Sequence, residues 1–157
     1  MRIGQGFDAH RFCEGQNFML GGVKITHHQG VEAHSDGDVL LHAICDALLG
    51  AASLGDIGAH FSDQEHINHN RDSREFIKAV LQLITQTGFE IVNIDATVIC
   101  QQPKIAPYKA TMQQIIAEDL GLAVNQVNVK ATTTEKMGFT GRQEGIAAMA
   151  IALLKES

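Results

Sequence analysis

Polar and apolar positions alternate along residues 1–9, where Ile3, Phe7 and Ala9 interleave with Arg2, Asp8 and glycines. That period of two predicts a strand. Residues 18–25 predict a second extended run, interrupted by Gly21-Gly22, a pair that permits a bulge or tight bend. The apolar run 40–49 has helical spacing, and Ser35 or Asp36 is placed to cap it. Asp72-Ser73-Arg74-Glu75 reads as a capping box. It opens a helix whose stripe is Phe76, Ile77, Val80, Leu81 and Ile84, stopped by Gly88. Residues 89–100 give the clearest strand, with Val92, Ile94, Ala96, Val98 and Cys100 on one face. Asn93, Asp95 and Thr97 fall on the other. Pro107 begins another helix, striped by Tyr108, Met112, Ile115, Ile116 and Leu120 and ended by Gly121. Val127, Val129, Ala131 and Thr133 alternate as a further strand. The tail 145–154 stays open: its Ala, Met and Leu content favours helix, a small-residue strand fits as well, and periodicity does not choose. Residues 59–71 form a polar stretch with no periodicity, the pattern of a lid loop. Strands with interspersed helices make the fold α/β or α+β.

Composition narrows the class. The 157 residues fit one compact domain, 1–157, and an apolar fraction of 45% is ordinary for a globular core. A net charge of −6 argues against a nucleic-acid binder, which needs a basic stripe. Three cysteines without a C-x-x-C pair favour free thiols and a reducing compartment. No apolar run reaches the ~20 residues of a membrane span, and the start lacks a basic-then-apolar signal. The expectation is a cytoplasmic protein with no membrane partner.

Two clusters carry chemistry. Asp8 and His10 lie two apart, so on a strand they share a face. His42 stands inside an apolar helix where an imidazole needs a reason to be. Two imidazoles and a carboxylate are the three protein ligands of an open, catalytic zinc site. Asp46, one turn beyond His42, is placed to orient that ring or simply to meet solvent. His60, His66 and His69 are not read as a second metal site, because nothing periodic holds them still. The second cluster is Lys130-Ala131-Thr132-Thr133-Thr134-Glu135-Lys136. Its hydroxyls and amides suit phosphate oxygens and Glu135 suits magnesium, although a threonine-rich edge strand has the same composition. No P-loop pattern is present.

Taken in order and spacing, these residues resemble one family. Gly6-Phe7-Asp8-Ala9-His10, Ala33-His34-Ser35-Asp36-Gly37-Asp38, Asp46-Ala47-Leu48-Leu49-Gly50 and Gly55-Asp56-Ile57-Gly58 carry the likeness. So do Lys130 to Lys136 and Gly138-Phe139-Thr140-Gly141-Arg142. The chain is similar over essentially its whole length to the 2-C-methyl-D-erythritol 2,4-cyclodiphosphate synthases of the non-mevalonate route to isoprenoid precursors. The resemblance implies a phosphorus–oxygen lyase reaction releasing CMP. It implies zinc on Asp8, His10 and His42, and magnesium or manganese near Glu135. Ser35, Asp56, Ile57, Gly58, Phe61, Ser62, Asp63, Phe139 and Arg142 match substrate-contacting positions. Cys100, Pro103, Lys104, Ile105, Ala106, Ala131, Thr132, Thr133 and Glu135 match the cytidine diphosphate pocket. His34 and Thr133 match the catalytic, transition-state positions.

The implied fold is α+β, a mixed four-stranded sheet with helices on one side. The implied assembly is a homotrimer with active sites shared between subunits, and it makes the tail a strand. Phe7, Arg142 and Glu144 are candidates for an effector site on the trimer axis. Ala59, Ser62, residues 69–71, Ile105 and Gln143 depart from the usual pattern, none of them a proposed metal ligand. A structural zinc protein fits less well, since structural sites are usually closed by four ligands. A non-catalytic nucleotide-binding trimer would bind CMP without releasing it from substrate.

Overall fold

In the computed structural model, residues 1–62 and 70–157 are described. The element order is β1 (Arg2–Cys13), β2 (Phe18–Leu20), β3 (Val23–Ile25), β4 (Gly30–Val31), α1 (Val39–Ala51), α2 (Ile57–His60) and α3 (Ser73–Gln86). Then follow β5 (Phe89–Ile99), α4 (Lys109–Leu120), β6 (Val127–Thr132), α5 (Gly138–Gly141) and β7 (Gly145–Glu156). The architecture is α+β. β2 and β3 form a small hairpin, and the main sheet runs β4-β1-β7-β5-β6. All its pairs are antiparallel except β5 with β6.

The sheet therefore has five strands, where the family likeness implied four. β1 does not stop at Ala9 but continues to Cys13. Its pairing with β7 ends at Arg11, and Phe12 and Cys13 pair instead with Val31 and Gly30 of the two-residue β4. The tail is strand β7. Its inner face is Ile146, Ala148, Ala150, Ala152 and Leu154, all buried, so small side chains rather than helix propensity decide its role.

β1 buries the face opposite to the one its large residues suggest. Gly4, Gly6 and Phe12 point inward, whereas Ile3 and Phe7 are 71% and 51% exposed. The reason is the close seat of α1. A Cβ on Gly4 would lie 2.0 Å from the Ala47 carbonyl oxygen and 2.4 Å from the Ala51 nitrogen. Both are backbone atoms that cannot swing aside. Gly4→Ala is therefore expected to cost about 3 kcal/mol or more, at the upper end of overpacking. A denaturant melt checks it, and a loss under ~1 kcal/mol would mean that α1 is not locked against β1.

Further departures follow from local geometry. Asp38, not Ser35 or Asp36, caps α1: its side chain accepts from the Leu41 amide at 3.0 Å. In β5 a register shift between Ile91 and Asn93 puts Ile91 rather than Val92 in the core. Asp72 caps α3 through the Arg74 amide, but Glu75 pairs with Arg71 at 2.7 Å instead of closing the box. The predicted loop 59–71 begins inside α2, and its residues 63–69, with His66 and His69, lie outside the described residues. Gln143 adopts φ 60°, a left-handed position that favours glycine. Among the described residues no helix is long and apolar enough to cross a membrane.

Candidate metal centre and substrate cleft

α1 lies across β1, and this brings His42, in its first turn, over the strand that carries Asp8 and His10. The start of α1 is pinned by the fully buried Asp38, whose carboxylate also accepts from the amides of Gly21 and Gly22 at 2.8 Å each. Burial pushes the Asp38 carboxyl above its usual range, against the pull of those three amide bonds.

Asp8, His10 and His42 then converge. His42 Nδ1 is 3.0 Å from Asp8 Oδ2, His10 Nε2 is 3.1 Å from the same oxygen, and the two ring nitrogens are 3.3 Å apart. Asp8 Oδ1 accepts from the Ala9 amide at 2.9 Å, which turns Oδ2 toward the imidazoles. Among the described residues this is the group of carboxylate and imidazole side chains able to hold a metal ion. Two imidazole nitrogens and one carboxylate oxygen fit zinc and leave a position for a substrate oxygen.

Burial would raise the Asp8 pKa, but the hydrogen bonds and charges of His10 and His42 outweigh it and hold this carboxyl well below the usual range. Burial would likewise discourage a charge on His42, yet its bond to Asp8 raises its pKa overall. A metal ion would compete with that proton, so metal uptake by the triad should improve as pH rises through the raised His42 value.

The other ring nitrogen of His42 is also engaged. Nε2 lies 2.9 Å from Ser73 Oγ, and Ser73 donates to Asp36 Oδ1 at 2.5 Å. Sequence reasoning passed over this pair, reading Ser73 only as part of a capping box and Asp36 as a helix cap. No sequence signal marks the pair; the full burial of the polar Ser73 shows it only in the structure. Asp46 does not orient His42: it accepts from the Ile57 amide at 2.8 Å and so holds the start of α2.

The triad forms the floor of a cleft of about 640 Å³. His34, Ser35, Ile57, Gly58, Phe61 and Phe76 line it. Asp56, just before Ile57, caps α2 through the Ala59 amide at 2.9 Å. His60 Nε2 donates to the Leu54 carbonyl at 2.7 Å, away from any cluster. Ser62 follows α2, and Asp63 lies outside the described residues.

The residues matched to a nucleotide pocket stand elsewhere, around the ends of β5 and β6. The Cys100 amide donates to the Thr132 carbonyl at 3.0 Å, and the Lys136 amide to Gln101 Oε1 at 3.1 Å. Pro103, Lys104 and Ala106 lie on that loop, and Ala131, Thr132 and Thr133 are exposed beside it. Glu135 accepts from Thr133 Oγ1 at 3.3 Å and takes no part in the triad. Cys100 and Ile105 are buried, so they offer a ligand main chain rather than side chain, and burial pushes the Cys100 thiol up to about 12. Phe139 and Arg142 are exposed beyond them, Arg142 bonded to Glu144 at 2.8 Å.

Register measures the gap between the two groups. Asp8 pairs with Ala148, Ala148 with Val98, and Val98 with Ala131. Three strand spacings separate Asp8 from Ala131, or about 14 Å across the sheet. Within one chain the triad and the threonine cluster share an end of the sheet and not a pocket.

Residues 1–155 match the YgbB family. A Pseudomonas aeruginosa (strain LESB58) protein named 2-C-methyl-D-erythritol 2,4-cyclodiphosphate synthase is 59% identical over 154 residues, 98% of each chain. Among solved structures, the bifunctional IspDF of Campylobacter jejuni superposes with a TM-score of 0.96 at 46% identity. That match covers 99% of this chain and 42% of that longer one. The Plasmodium falciparum IspF in complex with CDP superposes with a TM-score of 0.87 at 35% identity, covering 99% of this chain and 96% of that one.

Proposed function

This chain belongs to the YgbB family, and from that premise we propose how its residues divide the reaction. Its function is that of a 2-C-methyl-D-erythritol 2,4-cyclodiphosphate synthase in the isoprenoid pathway. We read residues 1–157 as one catalytic domain, working in the cytoplasm by phosphorus–oxygen lyase chemistry. The observation that carries the reading is the convergence of Asp8, His10 and His42 within 3.3 Å at the floor of an open cleft.

The substrate is 4-diphosphocytidyl-2-C-methyl-D-erythritol 2-phosphate. An oxygen of its 2-phosphate attacks the β-phosphorus of the diphosphate. The bond from that phosphorus to the bridging oxygen breaks, and CMP departs with the electron pair as the eight-membered ring closes. Two anions must meet, so the protein's task is positioning and neutralisation. A net charge of −6 does not attract such a substrate, and local cations must. Asp8, His10 and His42 would hold zinc and Glu135 magnesium or manganese, which when bound supply Lewis-acid polarisation and neutralise phosphate charge. His34 and Thr133 donate hydrogen bonds where charge develops. Ser35, Asp56, Ile57, Gly58, Phe61, Ser62 and Asp63 orient the methylerythritol phosphate, while Phe61 and Phe76, with ring centres 4.9 Å apart, keep water from one wall. Lys104, Thr132 and the main chain of Cys100, Ile105, Ala106 and Ala131 receive the cytidine diphosphate, with Pro103 shaping their loop. Phe139 and Arg142 add outer contacts.

We further read the working unit as a homotrimer with shared sites. Ile3, Phe7, Met149 and Ile151 stand 43–71% exposed on one face of the sheet, with Phe7 and Met149 direct partners. An apolar face of this kind seeks a partner, and the 14 Å gap between half-sites gives a neighbouring chain a reason to fill it. Incubating the chain with its substrate should release CMP and form the cyclic diphosphate. Chelator should stop release while the circular dichroism spectrum stays unchanged. Release that persists after complete metal removal would refute the metal-dependent reading.

A further inference from the structure

His42 uses both ring nitrogens, and only one of them faces the ligand cluster. The other, Nε2, meets a side chain whose hydrogen already has a fixed destination. Asp36 grips Ser73 twice: Oδ2 accepts from the Ser73 amide at 3.0 Å and Oδ1 from its hydroxyl at 2.5 Å. A carboxylate is acceptor-only and a hydroxyl has one hydrogen. With that hydrogen given to Asp36, Ser73 Oγ presents lone pairs to His42 Nε2, 2.9 Å away. His42 then donates from Nε2, while its Nδ1, 3.0 Å from Asp8 Oδ2 and aimed at His10 as well, holds a second proton only where Asp8 accepts it, the proton a metal ion would displace. We propose that Asp36 and Ser73 are a positioning relay. They keep a proton on His42 Nε2 and fix its ring so that Nδ1 faces a metal ion.

The surroundings agree. Ser73 is fully buried at the first residue of α3. Ser35 Oγ, also near Nε2, is farther at 3.3 Å and has no carboxylate behind it. Arg74, the next residue, is clamped in a double hydrogen bond to Asp119 of α4 at 2.7 and 2.8 Å, which fixes the helix end that presents Ser73. Partners behind a metal-binding histidine set its tautomer and orientation, and losing one costs about 10–100-fold in metal affinity.

The inference rests on the metal reading of the triad, and one arm of its test needs no metal. Long-range proton–nitrogen NMR of the metal-free wild-type chain should show a proton on Nε2, with or without a second one on Nδ1 toward Asp8. An Nε2 that carries no proton would overturn the relay while leaving the metal site itself standing. In the second arm, zinc affinity is measured by competition with a chromophoric chelator. Ser73→Ala should bind zinc about 10–100-fold more weakly at a near-normal melting temperature. Ser73→Thr, which keeps the hydroxyl, should recover most of that loss. Wild-type affinity in Ser73→Ala, or a folded Ser73→Thr as weak as Ser73→Ala, would refute the assignment. Should either variant fail to fold, the proton on Nε2 of the wild-type chain decides.

Discussion

His42→Ala is expected to lose turnover by about a thousandfold or more while the domain stays folded. The substitution removes one of three donors that converge within 3.3 Å. A metal's contribution to a phosphoryl transfer is several kcal/mol, and each 1.36 kcal/mol is tenfold in rate. The fold should tolerate the change. Position 42 is near the start of a helix whose other core residues, among them Leu40, Leu41, Ile44 and Leu48, are untouched. Ala is also the better helix former. Elemental analysis of the purified variant should show metal well below one ion per chain, and calorimetry a cooperative transition near that of wild type. Full occupancy with undiminished CMP release would sink the three-ligand assignment.

How this centre was legible, and where it was not, has a physical logic. Asp8 and His10 could be paired from sequence because a strand's period of two puts them on one face whatever the rest of the fold does. The same alternation does not tell which face of β1 is buried, since Ile3 and Phe7 outrank Gly4 and Gly6 on any hydrophobic scale. Glycine here is a spacing device: its missing side chain lets α1 close over β1 and puts His42 above the pair. That placement depends on a helix–strand distance, which no periodicity encodes. The tail shows the converse. Its alanines favour helix in isolation, and the pairing of β7 with both β1 and β5 overrides them.

Ser73 and Asp36 escaped for a different reason. Each has a local role that accounts for it completely, the first in the opening turn of α3 and the second in the turn before α1, so nothing in the sequence asks for another. Only the fold reveals that the two turns abut behind His42. The four strands implied by the family likeness leave out the two-residue β4, which pairs with Phe12 and Cys13, beyond Ala9 where the alternation ends. From composition the threonine cluster fits phosphate binding and a plain edge strand alike, and only the family likeness chooses between them. Its separation from the triad became measurable only when the register Asp8–Ala148–Val98–Ala131 was known.

That separation makes the strongest test of assembly a mixing experiment. Two inactive variants, His42→Ala and Glu135→Gln, should restore activity when allowed to exchange subunits. The first lacks a ligand of the triad but keeps its threonine cluster; the second has the reverse. If both halves of a site lay within one chain, every site in the mixture would carry one of the two lesions and nothing would be recovered. In a cyclic trimer each interface is head-to-tail, so every chain gives its triad to one neighbour and its nucleotide half to the other. A site is whole when the triad comes from a Glu135→Gln chain and the nucleotide half from a His42→Ala chain. At equal amounts, random assortment meets each condition half the time, and the two together in roughly a quarter of sites. Activity should return to about that fraction of wild type if the sites act independently. The exposed face of Ile3, Phe7, Met149 and Ile151 supplies an internal control. A charged residue such as Met149→Lys on both variants should prevent assembly and with it the recovery, while each monomer stays folded. Silence from a mixture whose subunit exchange is verified by mass spectrometry would put both halves in a single chain, and the 14 Å gap would then have to close by a movement of the chain itself.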